Sequence, residues 1–404
     1  MRSAPRFVAP IPSALDNLLV QDSVGVVMRA ESRAALTLVL LATIVLSACG
    51  RLNPGAGQAS STRSPSQTAS PSESAGASSS RSPAPTFTPT PSASPTLNNC
   101  GALGTCPPAN APAQVFDPVR REIVSFGGWD YPNGQLKVFD TTWLYRGGRW
   151  TQLHPAHVPP ARDNADIVFD AKSKVMVMYG GRDVPQAVAA GRGGEVGQIT
   201  YSADTWTWNG NDWTELHPAH YPIFFVPDIA FDVARQVVVL LGYVGHMETW
   251  TWDGVDWTHQ GKSDGLPQPV VRQTRLSYDP ATQKVMCFGG RNDGGETLAN
   301  PWVWDGTTWS KLAGVATPKI QYFGPMAPEG TNQTLLIFDW QSRTTWRWNG
   351  ASFEQLNAPH EPNIVAEVVA ADPENRVILG GLSQSTGTYE LWQWTGADWI
   401  AATL

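Results

Sequence analysis

Residues 230–257 read AFDVARQVVVLLGYVGHMETWTWDGVDW. Val237 to Leu241 is apolar at every position. A strand with one wet face alternates apolar and polar residues, so an unbroken run requires cover on both faces of its sheet. The run ends at Gly242, and Trp250-Thr251-Trp252 follows. Alternate residues of a strand share a face, so Trp250 and Trp252 point the same way and fill the space beside the sheet. Asp253-Gly254-Val255-Asp256 then forms a tight turn that sets Trp252 opposite Trp257. Such a cross-strand pair stabilises a hairpin by roughly 0.2–1 kcal/mol. Upstream, Ala230-Phe231-Asp232 is a short apolar strand ending in Asp. The stretch is a four-stranded unit that cannot cover its own faces.

The unit recurs six times, at about the spacing of a propeller blade. Unit one has Val115-Phe116-Asp117, Ile123 to Gly128, Trp143-Leu144-Tyr145 and Trp150. Unit two has Val168-Phe169-Asp170, Val175 to Gly181, Trp206-Thr207-Trp208 and Trp213. Unit four has Ser277-Tyr278-Asp279, Val285 to Gly290, Trp302-Val303-Trp304 and Trp309. Unit six has Ala370-Ala371-Asp372, Val377 to Gly381, Trp392-Gln393-Trp394 and Trp399. Unit five is degenerate: Leu335 to Phe338 runs into Asp339-Trp340 instead of Gly-Gly, and Phe353 replaces the last Trp. Of the 18 tryptophans only Trp129 and Trp340 fall off these positions, which marks the set as structural.

The apolar strand ending in Gly-Gly, the following Asp204-Thr205-Trp206 and the later Trp resemble kelch repeats of the galactose-oxidase-like propeller superfamily. The resemblance covers about residues 113–404 and implies an all-β, six-bladed β-propeller of four-stranded blades. No composition shift marks a second linker between Asp117 and Leu404, so one cooperative ring is expected, closed by packing of blade six on blade one without an exchanged strand. Copper-radical oxidase chemistry known on this architecture needs a Tyr–Cys crosslink. The lone propeller cysteine, Cys287, lies inside an apolar strand and reads as an inert core thiol.

Loop lengths break the symmetry of the ring. The turns between first and second strands, and between third and fourth, are short. The connections after Gly-Gly and the crossovers between blades are longer and share the opposite face, where binding residues concentrate on a rigid scaffold. The longest connection runs from Arg182 to Asp204. Candidate binding residues on this face are Trp129, Asp130, Tyr131, Arg162, Arg182 and Asp183 from the first two units. Later units add His246, Arg272, Arg291, Asp293, Glu296, Trp340 and Arg343. Leu153-His154-Pro155-Ala156-His157 recurs as Leu216-His217-Pro218-Ala219-His220, and Ala358-Pro359-His360 is a third crossover histidine. A motif copied between neighbouring blades is most simply a repeat element, so neither a metal nor a cofactor is expected.

The N-terminal third is of another kind. Residues 34–48 read AALTLVLLATIVLSA behind Arg29 and Arg33, a cationic flank before an apolar run too short for a comfortable membrane span. Leu46-Ser47-Ala48-Cys49 resembles the bacterial lipobox, which implies cleavage before Cys49 and lipid on its thiol. Met28-Arg29 would make a normal start for this signal. Residues 1–48 are therefore expected to be a signal region and 49–112 a lipidated tether. Its Ser, Pro and Thr, as in Ser78-Ser79-Ser80 and Pro89-Thr90-Pro91, cannot bury enough apolar surface to order a chain. Cys100 and Cys106 are expected to close a small disulfide loop in an exported protein, stabilising the propeller little. Residues 1–49 carry net +1 and 50–115 net +2, so the total of −7 leaves −10 for the remainder. An acidic propeller without a basic stripe argues against nucleic acid. The expectation is a monomeric lipoprotein on the extracytoplasmic side of the cell membrane, binding a protein or glycan without catalysis. The alternative is a carbohydrate-active enzyme of epimerase or oxidase type. Charged residues gathered from several blades at the axis would favour the enzyme, and a small-residue or water-filled channel the scaffold.

Overall fold

Met176 and Met178 pack against blade one, while Val177 and Tyr179, the alternate residues of the same strand, pack against blade three. That is the physical meaning of the unbroken apolar runs: each second strand is covered by a neighbouring blade on both sides. The computed structural model describes residues 6–8, 106–108, 110–130, 136–183, 200–224, 227–243, 246–262, 266, 272–291, 300–318, 320, 325–330, 333–371 and 376–404. All regular elements among them are strands.

Six four-stranded antiparallel sheets follow one another along the chain, each ordered first to fourth strand. Blade one comprises Ala113–Asp117, Glu122–Phe126, Thr142–Arg146 and Arg149–Leu153. Blade two comprises Asp166–Asp170, Val175–Tyr179, Thr205–Trp208 and Trp213–Leu216. Blade three comprises Asp228–Asp232, Val237–Tyr243, Met247–Trp252 and Trp257–Lys262. Blade four comprises Arg272–Asp279, Lys284–Arg291, Trp302–Trp304 and Trp309–Lys311. Blade five comprises Met326–Glu329, Thr334–Asp339, Thr344–Trp348 and Phe353–Leu356. Blade six comprises Ile364–Ala371, Val377–Ser383, Tyr389–Trp394 and Trp399–Ala401. Among the described residues, two small sheets lie outside the blades. One pairs Trp129–Asp130 with Lys137–Val138, and the other pairs Thr200–Ser202 with both Arg182–Asp183 and Arg6–Val8.

First strands of successive blades contact one another all the way round, including Ile364–Ala371 against Ala113–Asp117. The chain is thus a closed six-bladed β-propeller with the first strands around the axis. Each blade is one contiguous piece of chain, so closure is by packing, with no strand exchanged. An apolar core fills each of the six joints.

A side-chain bond repeats across four of these joints. The indole N–H of the Trp opening a fourth strand donates to a Thr in the third strand of the preceding blade. The pairs are Trp213 to Thr142 (2.9 Å), Trp257 to Thr205 (2.8 Å), Trp309 to Thr249 (2.7 Å) and Trp399 to Thr345 (2.8 Å). All are buried, where an unmade bond would cost about 1–3 kcal/mol. At the joint between blades four and five the Thr position holds Pro301, which offers no hydroxyl, and the Trp position holds Phe353, which needs none. The departure of unit five is thus a matched exchange. Its missing Gly-Gly is a different loop: Asp339 accepts from the Gln341 amide (3.1 Å) and the Ser342 hydroxyl (2.6 Å), capping a short turn into Thr344.

Elsewhere the glycines are required by the incoming chain. Gly127 has φ +70°, and a Cβ there would run into the Arg162 carbonyl of the crossover to blade two. Gly181, at φ +97°, would place a Cβ 2.9 Å from the Asp163 carbonyl. Gly127→Ala combines left-handed strain with overpacking against backbone, and should cost about 2–4 kcal/mol. A urea midpoint unchanged from the parent would contradict this.

Candidate functional site

In blades one to four the Asp ending the first strand caps the turn that follows. Asp117, for example, accepts from the Val119 amide at 2.8 Å and the Arg120 amide at 3.0 Å. Four residues earlier, at the other end of the strand, the six equivalent positions are Ala113, Asp166, Asp228, Arg275, Pro325 and Val368. This level lies on the face carrying the long loops and crossovers. Three consecutive blades therefore bring two carboxylates and a guanidinium to the axial mouth, in a ring otherwise closed by apolar groups. Arg275 is exposed and Asp166 half-buried although both lie in innermost strands, so they face the channel; Asp228 is 7% exposed.

Asp166 and Asp228 are built alike. Each accepts from the backbone amide of the next residue, Ile167 and Ile229, at 3.0 Å. Asp166 lies beside Asp228 of the next blade, close enough for the two carboxyls to influence one another. Burial pushes the Asp166 carboxyl above the ordinary carboxylate range, against the opposing pull of Arg275 and of its hydrogen bonds. Neighbouring carboxyl groups favour sharing a single proton over ionising together.

Two of the arginines singled out by the sequence, Arg162 and Arg182, are engaged within the scaffold. Arg162 is 1% exposed and forks onto Asp204 at 2.5 and 2.7 Å, with further bonds to the Gly180 carbonyl (2.8 Å) and the Pro160 carbonyl (3.0 Å). Asp204 is desolvated, yet Arg162 and the Trp206 indole hold its carboxyl below the usual range. Arg182 pairs with Asp163 at 2.8 and 3.1 Å, where burial outweighs the arginine and raises the carboxyl. These pairs pin the crossover from blade one to the Gly180-Gly181 corner. Trp129 is buried and Asp130 half-buried in the small sheet. His246 lies 2.7 Å from Glu248, which also accepts from the Trp250 indole at 3.1 Å. Trp340 is half-buried against the core between blades five and six, and Arg343 is exposed at the end of the blade-five turn. Tyr131, Asp293 and Glu296 lie outside the described residues, and of Asp183, Arg272 and Arg291 only the backbone is described.

The crossover histidines do not form a ring around a ligand. His157 binds Asp212 through its backbone amide (2.9 Å) and Nδ1 (2.7 Å), His220 binds Asp256 (2.9 and 2.8 Å), and His360 binds Asp398 (2.8 and 2.8 Å). Each Asp sits in the third-to-fourth turn of the next blade, so the copied motif is an exposed staple across the outer rim. Among the described residues no group of His, Cys, Asp and Glu is placed to hold a metal ion. Cys287 is buried between blades three and four, and burial pushes its thiol well up, which leaves it unreactive. Cys106 is disulfide-bonded and buried; Cys100 lies outside the described residues.

Sequence reading missed Asp166, Asp228 and Arg275. Their signal is positional: each breaks the apolar character of its first strand at the same register.

No protein-family model matches the chain. No curated protein matches it either. Among solved structures, one titled "Structure of YjhT" aligns over 73% of this chain and 84% of its own, at 11% identity and a TM-score of 0.43.

Proposed function

We propose that this chain is an exported, lipid-anchored protein whose kelch-type propeller binds a neutral, hydroxyl-rich ligand such as a glycan at the axial mouth, without catalysis. The observation that carries the binding reading is the convergence of Asp166, Asp228 and Arg275 from three blades. On this reading the carboxyl pair shares one proton and bears a single negative charge, which Arg275 offsets. A site with no net charge, several donors and acceptors and an apolar surround suits hydroxyl groups better than ions. A glycan array probed with the exported protein tests this. Neutral saccharides should be retained, with affinity reduced at least tenfold by Arg275→Ala or Asp228→Ala, each of which removes a charged hydrogen-bonding partner. No neutral saccharide retained, or undiminished binding by both variants, would refute it.

The enzymatic reading keeps one supporting observation: a carboxyl with a raised affinity for its proton beside a second carboxylate is how acid and base roles are divided in catalytic pairs. Chemical change in a retained saccharide would favour it.

The anchor rests on Leu46-Ser47-Ala48-Cys49 behind its apolar run. Mass spectrometry of the membrane fraction should find Cys49 as the lipid-bearing N-terminus, and Cys49→Ala should release or mislocalise the protein. Unmodified Cys49 in an intact precursor would contradict this. Cleavage there would also remove Arg6–Val8 and leave Thr200–Ser202 paired with Arg182–Asp183 alone.

A further inference from the structure

The six blades differ in the charge of their short turns, on the face opposite the axial mouth. Four residues after the acid that ends each first strand, blades three, four and five carry Gln236, Gln283 and Gln333. All three are exposed and lie at φ +51° to +56°. At the same place blades one and two carry Arg121 and Lys174, exposed and at φ +57° and +56°. Blade six carries Arg376 there, half-buried. The turn between third and fourth strands follows the same division. In blades two to six its end residues are Asn, Asp, Ser or Thr, as in Asn209 with Asp212 or Asn349 with Ser352. In blade one they are Arg146 and Arg149, both exposed. Three consecutive blades, six, one and two, thus present cations where the others present neutral or acidic groups.

Some basic groups on this face serve the joints. Arg120 and Arg235 donate to the Asn209 and Asp305 carbonyls of the next blade, and Lys172 donates to the Asp253 carbonyl at 2.9 Å. The Arg121 and Lys174 place is different: the turn needs no cation there, since Gln fills it on three blades. The acids beneath the arc are Asp117, Glu122 and Asp170, only 0–3% exposed. Asp117 holds Arg120 at 2.7 Å, and Glu122 stands 3.7 Å from Arg146, with its carboxyl pushed above the ordinary range by burial. The chain terminus adds one acid at the rim, where the Gly147 amide donates to Leu404 at 2.8 Å. Asp372 and Glu374 of the blade-six turn lie outside the described residues. Val119, 59% exposed, stands directly before Arg120-Arg121 as an apolar tip among the cations.

We propose that this cationic arc docks on an anionic phospholipid bilayer and seats the propeller with its axial mouth turned away from the membrane. The proposal rests on the anchored reading for its location, because a lipid on Cys49 keeps the domain beside a bilayer. The propeller as a whole is acidic and is repelled by such a surface, so the one cationic sector selects the orientation. Its turns are short and share a register, so a planar surface can meet them together. Each cation at an anionic leaflet strengthens binding about fivefold, and a chain already held by lipid is oriented by a weak second contact.

Vesicle co-sedimentation of the full chain carrying Cys49→Ala separates the arc from the anchor. Phosphatidylcholine vesicles report the contribution of the apolar run 34–48. Mixed phosphatidylglycerol–phosphatidylcholine vesicles should bind at least tenfold more tightly, and high salt should abolish the difference. Arg121→Gln, Lys174→Gln and Arg149→Ser each install the residue that another blade carries at that place. Together they should lower the binding at least tenfold without shifting the melting transition. Lys311→Gln, an exposed cation of blade four, should lower it less than about twofold. Equal binding to both vesicles, a triple variant that binds like its parent, or an equal loss with Lys311→Gln overturns the proposal. Retention on immobilised polyphosphate with none on anionic vesicles would assign the arc to a soluble anionic polymer and overturn it also. The comparison between vesicles holds even if the triple variant does not fold. Failure here leaves the lipid on Cys49 standing, since mass spectrometry decides that separately.

Discussion

A chain ending at residue 359 should show no cooperative unfolding transition. That truncation removes the whole of blade six and opens two joints at once. On blade five it exposes Leu336 and Phe338, which are 1–2% exposed in the ring; on blade one it exposes Phe116, Ile123, Trp143 and Tyr145. Each large apolar side chain returned to water costs about 1.5–3 kcal/mol. Six of them match or exceed the whole stability of a typical domain, about 5–15 kcal/mol. Blades cannot rescue one another, because each second strand needs cover on both faces. Circular dichroism melts and limited proteolysis decide the matter. A soluble five-bladed product with a sharp transition near the parent's would contradict the closed ring.

Arg162→Ala should destabilise the propeller by about 3–5 kcal/mol, since it leaves the Asp204 carboxylate desolvated without its guanidinium. The same substitution strips donors from the Gly180 and Pro160 carbonyls. Replacing both partners, as in Arg162→Met with Asp204→Leu, should recover most of the loss, because a buried pair contributes little net stability over apolar residues of similar size. Urea unfolding of the two singles and the double completes the cycle. A single-mutant cost below about 1 kcal/mol, at the surface-pair level, would contradict the burial assigned to this pair.

What the sequence disclosed and what it hid follow from the same geometry. Val237 to Leu241 and its counterparts announce two-sided burial, and the Trp pairs announce hairpins, because both effects act over a few residues. The first strand of blade five was hidden. Met326-Ala327-Pro328-Glu329 contains a proline, which a central strand would not tolerate. It is acceptable here because the strand is the innermost of its sheet and has a free edge toward the axis. The arginines Arg162 and Arg182 suggested ligand binding because their loops are long. Which loop residues face the axis and which lock a crossover is set by packing between blades, far apart in sequence. Asp166, Asp228 and Arg275 lie 62 and 47 residues apart and meet only because the ring closes. The histidine motif was legible as a repeat, but its partners were not, since each Asp lies in the following blade.

The most direct test of the account is the pH dependence of saccharide binding by the wild-type protein and by Asp166→Asn. Burial raises the Asp166 carboxyl, so a proton on the proposed pair is held at low pH and is lost as pH rises through that raised value. The sign is the same for stability: a raised carboxyl contributes fully below the ordinary carboxylate range of about 4, and the contribution declines with rising pH. Above it, two adjacent carboxylates repel and the site gains a net negative charge. Calorimetric titration with a neutral saccharide selected on the array should show affinity falling as pH rises in the wild type. Asp166→Asn, whose amide donates at every pH, should bind with little pH dependence. A wild-type affinity that is flat with pH, or an Asp166→Asn variant that no longer binds, would contradict a proton-sharing site at the axial mouth.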